Sequence, residues 1–171
     1  MTTDPELTFA DFMSARWSSL FRTAYLLTGD RHEAEDLLQT ALARTFVRWK
    51  GIRDKGAADA YVRRAMLNLA SRRWRTRGRE LTLERLPEPA HDGGVGSSDA
   101  RMLLWREIVK LPPRMRAALV LRFYEDLSEA ATAAELGCSV GTVKSQTHHA
   151  LRRLRDALGE PALSTLTEET P

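Results

Sequence analysis

Arginine side chains, with aromatic rings and an amide between them, dominate residues 59–79. This stretch holds seven arginines and one acid, a net charge of +6, together with Tyr61, Asn68 and Trp74. Guanidinium groups bind phosphates, while rings and amides engage bases. A solvated charged face usually mixes the two signs, and this stretch does not. The composition therefore favours contact with nucleic acid over a plain solvated face.

A second segment rich in hydrogen-bond donors covers residues 127–158. Ser128 and Ser139 are each placed to cap a helix, and Gly137 between them suits a left-handed turn. The second helix has one apolar face and one face of donors: Lys144, Ser145, His148, His149 and Arg152. This is the layout of a helix-turn-helix, whose second helix enters the DNA major groove. The alternative is a hairpin that serves packing alone, which would not need the donor-rich face.

Patterns typical of catalysis or metal binding are weak. There is no glycine-rich phosphate loop, no paired-cysteine motif and no nucleophile elbow. His32 stands near three acids, but the spacing puts only some of them on one helix face. The adjacent His148 and His149 would point about 100° apart on a helix, which is poor geometry for one ion. We therefore expect a protein that is not an enzyme, with no catalytic residue, no bound metal and no cofactor.

Length and composition indicate a globular protein with room for one medium or two small domains. The 171 residues are 43% hydrophobic and 29% charged, with a net charge of +3. The single cysteine, Cys138, rules out an intramolecular disulfide. The N-terminus lacks the features of a signal peptide, and no apolar run approaches the roughly 20 residues that span a bilayer. We expect a cytoplasmic location.

Apolar periodicity predicts helices over residues 8–28, 32–49, 59–76, 100–111 and 114–124, before the helix-turn-helix. Residues 80–98 are rich in proline and glycine, which predicts a flexible linker. We expect an all-α protein with two small helical domains, at 1–79 and 99–158, joined by this linker and followed by a disordered tail at 159–171. The inward-facing residues of the first, second and fourth helices are expected to include Trp17, Phe46 and Leu103.

The second predicted helix begins with an acidic cluster, Glu33, Glu35 and Asp36. Acidic side chains favour a helix N-terminus electrostatically, and this alone could explain them. The functional alternative is an acidic surface that binds a basic partner.

Two motifs in this order resemble a known family. The stretch TGDRHEAEDLLQ at residues 28–39 is similar to a conserved pattern in region 2 of bacterial sigma-70-type factors. The segments LPPRMR, at residues 111–116, and SVGTVKS, at 139–145, are similar to patterns in region 4. The resemblance covers about residues 9–158. Two end regions with a linker between them are the arrangement of the extracytoplasmic-function (ECF) subgroup.

The resemblance implies roles for particular residues. Polymerase binding would fall on Glu35, Asp36, Leu37 and Gln39. Contact with the minus-ten element would fall on the loop at residues 50–58 and on Tyr61, Arg64, Asn68, Arg72 and Arg73. The minus-thirty-five element would be read by Lys144, Ser145, Gln146, His148 and His149, with Arg152 on the same face.

The implied function is a non-catalytic subunit that binds core RNA polymerase and directs it to promoters. The implied partners are core RNA polymerase, promoter DNA and a regulator such as an anti-sigma factor, with no membrane insertion. Two other functions remain open from the residues alone. One is a stand-alone helix-turn-helix transcriptional regulator, and the other is an adaptor that makes no DNA contact.

Overall fold

The computed structural model describes residues 7–77, 99–160 and 163, and every regular element in them is helical. Seven α-helices are present in this part of the chain: α1 Phe9–Thr28, α2 Arg31–Arg48, α3 Ala58–Arg77, α4 Asp99–Lys110, α5 Pro113–Leu119, α6 Glu129–Leu136 and α7 Val140–Leu158. The all-α prediction is confirmed. The expected linker at 80–98 and most of the expected tail lie outside the described residues.

Local signals fix the ends of the first two helices. Thr8 and Asp11 form a capping box at the start of α1, with each side chain bonded to the other residue's backbone N–H. Gly29 ends α1 with φ +75°, a conformation that glycine adopts without steric cost. Asp30 then caps α2 by accepting a hydrogen bond from the Glu33 backbone.

Helices α1, α2 and α3 share one apolar core. Its largest fully buried side chains in these helices are Leu27, Leu37, Leu38, Val62, Met66 and Leu67. Trp49, which follows α2 in a short 3-10 turn, is 8% exposed and lies with its ring centroid 5.3 Å from that of Phe12.

The inward positions predicted for Trp17, Phe46 and Leu103 are wrong, since these side chains are 37%, 60% and 47% exposed. Phe46 illustrates the reason. Thr45 near the end of α2 and Trp49 just after it, four residues apart, occupy the inward side, and Phe46 is turned about 100° away from Thr45. Its ring instead contacts that of Phe9 at the edge of the core, with 5.0 Å between the ring centroids.

Helices α4, α5 and α7 build a second apolar cluster, with Leu104, Ile108, Leu119, Val120 and Leu154 among its buried members. Pro113 occupies the first turn of α5, where its missing N–H has no intrahelical partner to lose. The helix then widens into a π-helical turn, Val120–Tyr124, so the predicted helix at 114–124 is continuous but changes its winding.

Helices α1 and α3 pack directly on the C-terminal half, through α4, α5, α6 and the π-helical turn. Leu26 of α1 belongs to the second cluster, while Ala117 and Leu121 belong to the first. Helix α1 therefore buries a second face, on which Thr23 is 1% and Leu26 2% exposed. In the described part of the chain, no helix is long and apolar enough to cross a membrane.

Candidate nucleic-acid and polymerase interface

The α6–α7 pair has the predicted helix-turn-helix geometry. The Ser128 hydroxyl accepts a hydrogen bond from the Ala131 N–H at 3.0 Å, and the Ser139 hydroxyl accepts one from the Thr142 N–H at 3.1 Å. Gly137 joins the helices with φ +63° and ψ +39°, and its N–H bonds to the Ala133 carbonyl. These caps and this turn are the ones that the sequence predicts. They fix where α7 begins, and so which of its residues face outward.

Helix α7 separates its two faces as predicted. Val143, Ala150 and Leu154 are buried, whereas the predicted DNA-contacting residues Lys144, Ser145, His148, His149 and Arg152 are exposed. Lys144 lies 3.7 Å from a carboxylate oxygen of Glu129 on α6.

Gln146 differs from the other residues predicted to read the minus-thirty-five element. It is only partly exposed, and its Oε1 is buried without a hydrogen-bond partner among the described residues. Its carbonyl end is therefore turned away from the face that carries the donors. Because a buried unpaired amide oxygen is costly, Gln146 has a reason to change rotamer when a partner offers a donor.

Helix α3 presents Tyr61, Arg64, Asn68 and Arg72 on its exposed surface, as predicted. Tyr61 is 48% exposed, which leaves its ring free to stack. Arg73 is less accessible, because its guanidinium forms an ion pair with Asp36 of α2. Residues predicted separately for DNA and for polymerase are therefore in direct contact.

The loop before α3 is held by one lysine. Lys55 donates hydrogen bonds to the carbonyls of Trp49 and Ile52, at 2.5 and 2.9 Å, and its Nζ lies 4.6 Å from the Trp49 ring centroid. Asp54 caps the next turn by accepting from the Gly56 N–H. Lys55 therefore shapes the loop, and Lys50 and Arg53 are the exposed cations of this segment.

The acidic surface of α2 is formed by two carboxylates, those of Glu35 and Asp36, and by the neutral side chain of Gln39 beside them. Asp36 and Gln39 are exposed, and Glu35 pairs with Arg31 at 3.3 Å. Leu37, for which the resemblance also implies polymerase binding, is fully buried in the core, as its apolar spacing on the helix predicts. In this structure it supports the α2 surface from beneath. The same helix face continues into Ala43 and Val47, which is 83% exposed.

Sequence reasoning missed two charged groups between the N-terminal and C-terminal helices. Arg116, 7% exposed, donates from Nη2 to the Leu27 carbonyl at 2.8 Å and from Nη1 to the Val109 carbonyl at 2.6 Å. Burial lowers the pKa of Arg116 to about 10, which the charge of Glu33 partly counteracts, so the group stays protonated at neutral pH. The second group is Glu125, which accepts hydrogen bonds from Thr23 and Arg63.

Comparison with known proteins identifies the class. The profile of Sigma-70 region 2 matches residues 17–80, and that of Sigma-70 region 4 matches residues 101–154. The chain is 46% identical to RNA polymerase sigma-E factor of Streptomyces coelicolor over 153 residues, covering 89% of this chain and 86% of the relative. It is 32% identical to ECF RNA polymerase sigma factor SigL of Mycobacterium tuberculosis over 147 residues, covering 82% and 83%.

A solved structure shares the fold. The sigma factor RpoE, from its co-crystal structure with the anti-sigma factor NepR from Bartonella quintana, gives a TM-score of 0.69 at 23% identity. The match covers 95% of this chain and 98% of that chain.

The chain belongs to the sigma-70 family of RNA polymerase sigma factors, and within it to the extracytoplasmic-function group. Its function is to bind core RNA polymerase and to direct promoter recognition, strand opening and transcription initiation. The stand-alone regulator considered above is not favoured, because both sigma regions are present in one chain.

Proposed function

We propose that this sigma factor divides its work among three surfaces. The acidic face of α2, formed by Glu35, Asp36 and Gln39, binds a basic surface of core RNA polymerase. The exposed arginine-rich face of α3 captures unpaired bases of the minus-ten element. The donor-rich face of α7 reads the minus-thirty-five element in the major groove.

The observation that carries this proposal is the outward orientation of both basic faces. Tyr61, Arg64, Asn68 and Arg72 lie exposed together on α3, so rings and guanidiniums are available to a single strand. Lys144, His148 and Arg152 lie exposed at four-residue spacing on α7, as a helix in the major groove requires. The α2 surface carries the opposite charge, so it would suit a basic protein partner rather than DNA.

The protein would act without catalysis, in the cytoplasm where its polymerase resides. Residues 1–79 and 99–158 would form its two functional domains. A regulator of the anti-sigma type is a further proposed partner, by analogy with the RpoE–NepR complex.

The first test is promoter-directed transcription with purified core polymerase. We expect initiation at discrete start sites when the chain is added. Absence of initiation, with folded protein and active polymerase, would contradict the proposal.

The second test separates polymerase docking from folding. Asp36→Arg should weaken binding to core polymerase at least tenfold, about 1.4 kcal/mol, because it reverses a charge at the interface. Asp156→Arg is the control, since Asp156 is an exposed acid on α7 and gives the same change in net charge. Binding is measured without DNA by fluorescence anisotropy, and helix content by circular dichroism. Equal affinities for the two variants would refute the docking role.

A further inference from the structure

Two adjacent histidines lie in the middle of the donor-rich face of α7. His148 and His149 are both exposed, with 5.8 Å between their ring centroids. The ring planes are inclined at 67°, so the imidazoles meet edge to face and do not stack. Among the described residues neither ring has a hydrogen-bond or ion-pair partner, so its nitrogens are available to a ligand. We call these two residues the histidine pair.

The charged side chains beside the histidine pair on α7 are all cations. Lys144 lies one helical turn before His148, and Arg152 lies one turn after it. Arg153 has the same place relative to the second histidine. No acid occurs in residues 140–155, so this part of α7 provides no carboxylate to balance a positive charge on either ring.

Carboxylates on the helices packed against α7 are engaged elsewhere. Glu129 of α6 lies 3.7 Å from Lys144, and Glu107 of α4 pairs with Lys110 at 2.6 Å. Glu135 of α6 has a buried Oε2 without a hydrogen-bond partner among the described residues. The other charged side chains in residues 104–116, which cover most of α4 and the start of α5, are the cations Arg106, Lys110, Arg114 and Arg116. No described carboxylate is paired with either imidazole.

Imidazole chemistry links the charge of a ring to the base that it can bind. Histidine ordinarily changes its charge between pH 5 and 8. The protonated ring has two N–H donors, whereas the neutral ring has one donor and one acceptor. In the major groove guanine presents two acceptors, N7 and O6, whereas adenine presents one acceptor and one donor. The protonated ring therefore matches guanine, and the neutral ring matches adenine.

DNA itself favours the protonated form of the histidine pair. In the free protein a charge on either ring would stand among cations only. DNA brings one phosphate for about every 1.7 Å of helix axis, and a nearby opposite charge favours the charged form of a group. Entry of α7 into the groove should therefore draw protons onto the pair. Binding that takes up protons is stronger in acid, and loses this contribution as pH rises through the range where the bound rings lose their protons.

We propose that His148 and His149 are proton-linked readers of the minus-thirty-five element. They take up protons when α7 binds DNA, and as imidazolium ions they select guanine over adenine. The inference rests on the proposed function, because it assumes that α7 enters the major groove at this element. It adds the class of base that is read and the condition under which it is read.

The experiment selects DNA with the assembled holoenzyme at two pH values. The probe is a promoter fragment mapped in the transcription test, with the base pairs of its minus-thirty-five element randomised. Bound DNA is recovered at about pH 6 and about pH 8, on either side of the ordinary histidine range, at one fixed ionic strength, and sequenced. The measured quantity is the ratio of guanine to adenine at each position. Because it is a ratio, pH effects on polymerase that do not depend on the base cancel.

We expect the guanine-to-adenine ratio to rise severalfold at one or two positions as pH falls. One proton taken up changes affinity by at most about tenfold per pH unit. A ratio that is the same at both pH values would overturn the proposal.

Three variants test whether the histidine pair is the source of the pH dependence. The double variant His148→Gln with His149→Gln should favour adenine at both pH values, because glutamine cannot titrate and pairs with adenine. His149→Arg should favour guanine at both, because arginine stays charged and pairs with guanine. The matched control is His32→Gln, at an exposed histidine of α2, which should keep the pH dependence of the unmodified chain. A pH dependence that persists in the double glutamine variant, or disappears in the control, would overturn the proposal.

These outcomes separate the inference from the proposed function. If α7 does not read the minus-thirty-five element, no base will be enriched there at either pH, and the histidine variants will select the same DNA as the unmodified chain. If only the proton linkage is wrong, a preferred element will appear and will be identical at both pH values. Circular dichroism at both pH values confirms that each variant is folded.

Discussion

Arg116 gives the sharpest test of how the two halves are held together. It is the last residue of the LPPRMR segment, and its guanidinium lies at the C-terminal ends of α1 and α4. The last four carbonyls of a helix have no intrahelical partner, and Leu27 and Val109 are in these positions. A buried cation that bonds to both also suits the negative ends of the two helix dipoles. We predict that Arg116→Met destabilises the fold.

The magnitude follows from opposing contributions. Two buried carbonyls left without a donor cost about 1–3 kcal/mol each. Loss of the charge from two helix ends adds about 0.3–1 kcal/mol each. Against this, the lowering of the Arg116 pKa from 12.5 to about 10 means that burying the charge costs about 3 kcal/mol, which Met would recover. The net loss should be about 2 kcal/mol, with a urea midpoint lower by about 1 M.

The assay is urea unfolding followed by circular dichroism at neutral pH, where Arg116 is protonated. Arg114→Met is the control, because Arg114 is an exposed arginine on the same helix. The control should change stability by less than about 0.5 kcal/mol. If Arg116→Met were as stable as the control, the carbonyl bonds would not compensate for the buried charge, and the reasoning would fail.

Two further predictions concern local structure. Gly137→Ala should cost about 1–2 kcal/mol, because φ is +63° and an added Cβ meets no neighbour, so the penalty is backbone strain alone. Gly51→Ala is its control, because an added Cβ there meets no neighbour and Gly51 has no positive φ. Equal urea midpoints for the two variants would contradict the strain argument. Hydrogen bonds from Thr8 lower the pKa of Asp11, so the capping box stabilises the fold above the unfolded-state pKa and loses that effect as pH falls through the lowered value. Asp11→Asn should thus lower the urea midpoint at pH 7 but not in strong acid, and a pH-independent difference would count against it.

Local signals in the sequence were sufficient for the helix-turn-helix. Ser128, Gly137 and Ser139 each act on their own neighbours within a few residues, so their effect does not depend on the rest of the fold. The outward face of α7 followed from those caps and from apolar periodicity. The acidic face of α2 and the basic face of α3 were predictable from apolar periodicity, because the charged residues lie opposite the apolar stripe of each helix.

The interface between the halves could not be predicted in this way. Helix periodicity identifies one apolar stripe, and on α1 that stripe packs against α2 and α3. Leu26 and Thr23 extend burial to a second face, whose partners are about 90 to 100 residues away in the sequence. An arginine is expected at the surface unless it is known that two helix ends meet around it. The only clue in the sequence to a buried role for Arg116 is its place within the LPPRMR segment.

Two ion pairs join helices that carry different predicted surfaces or belong to different halves of the protein. The exposure of their side chains decides which pair is the more costly to break. The Asp36–Arg73 pair joins the two predicted surfaces directly, but the Asp36 side chain is 65% exposed. Such a surface pair contributes about 0–1 kcal/mol, too little to hold a state against polymerase or DNA. A partner of Asp36 or Arg73 can therefore release that pair at little cost. Arg63–Glu125 is largely buried, and removing one partner of a buried pair costs up to about 3–5 kcal/mol. The Arg63–Glu125 pair has to stay intact for the two halves to remain packed together, because separating it would leave a charge unpaired where water has little access.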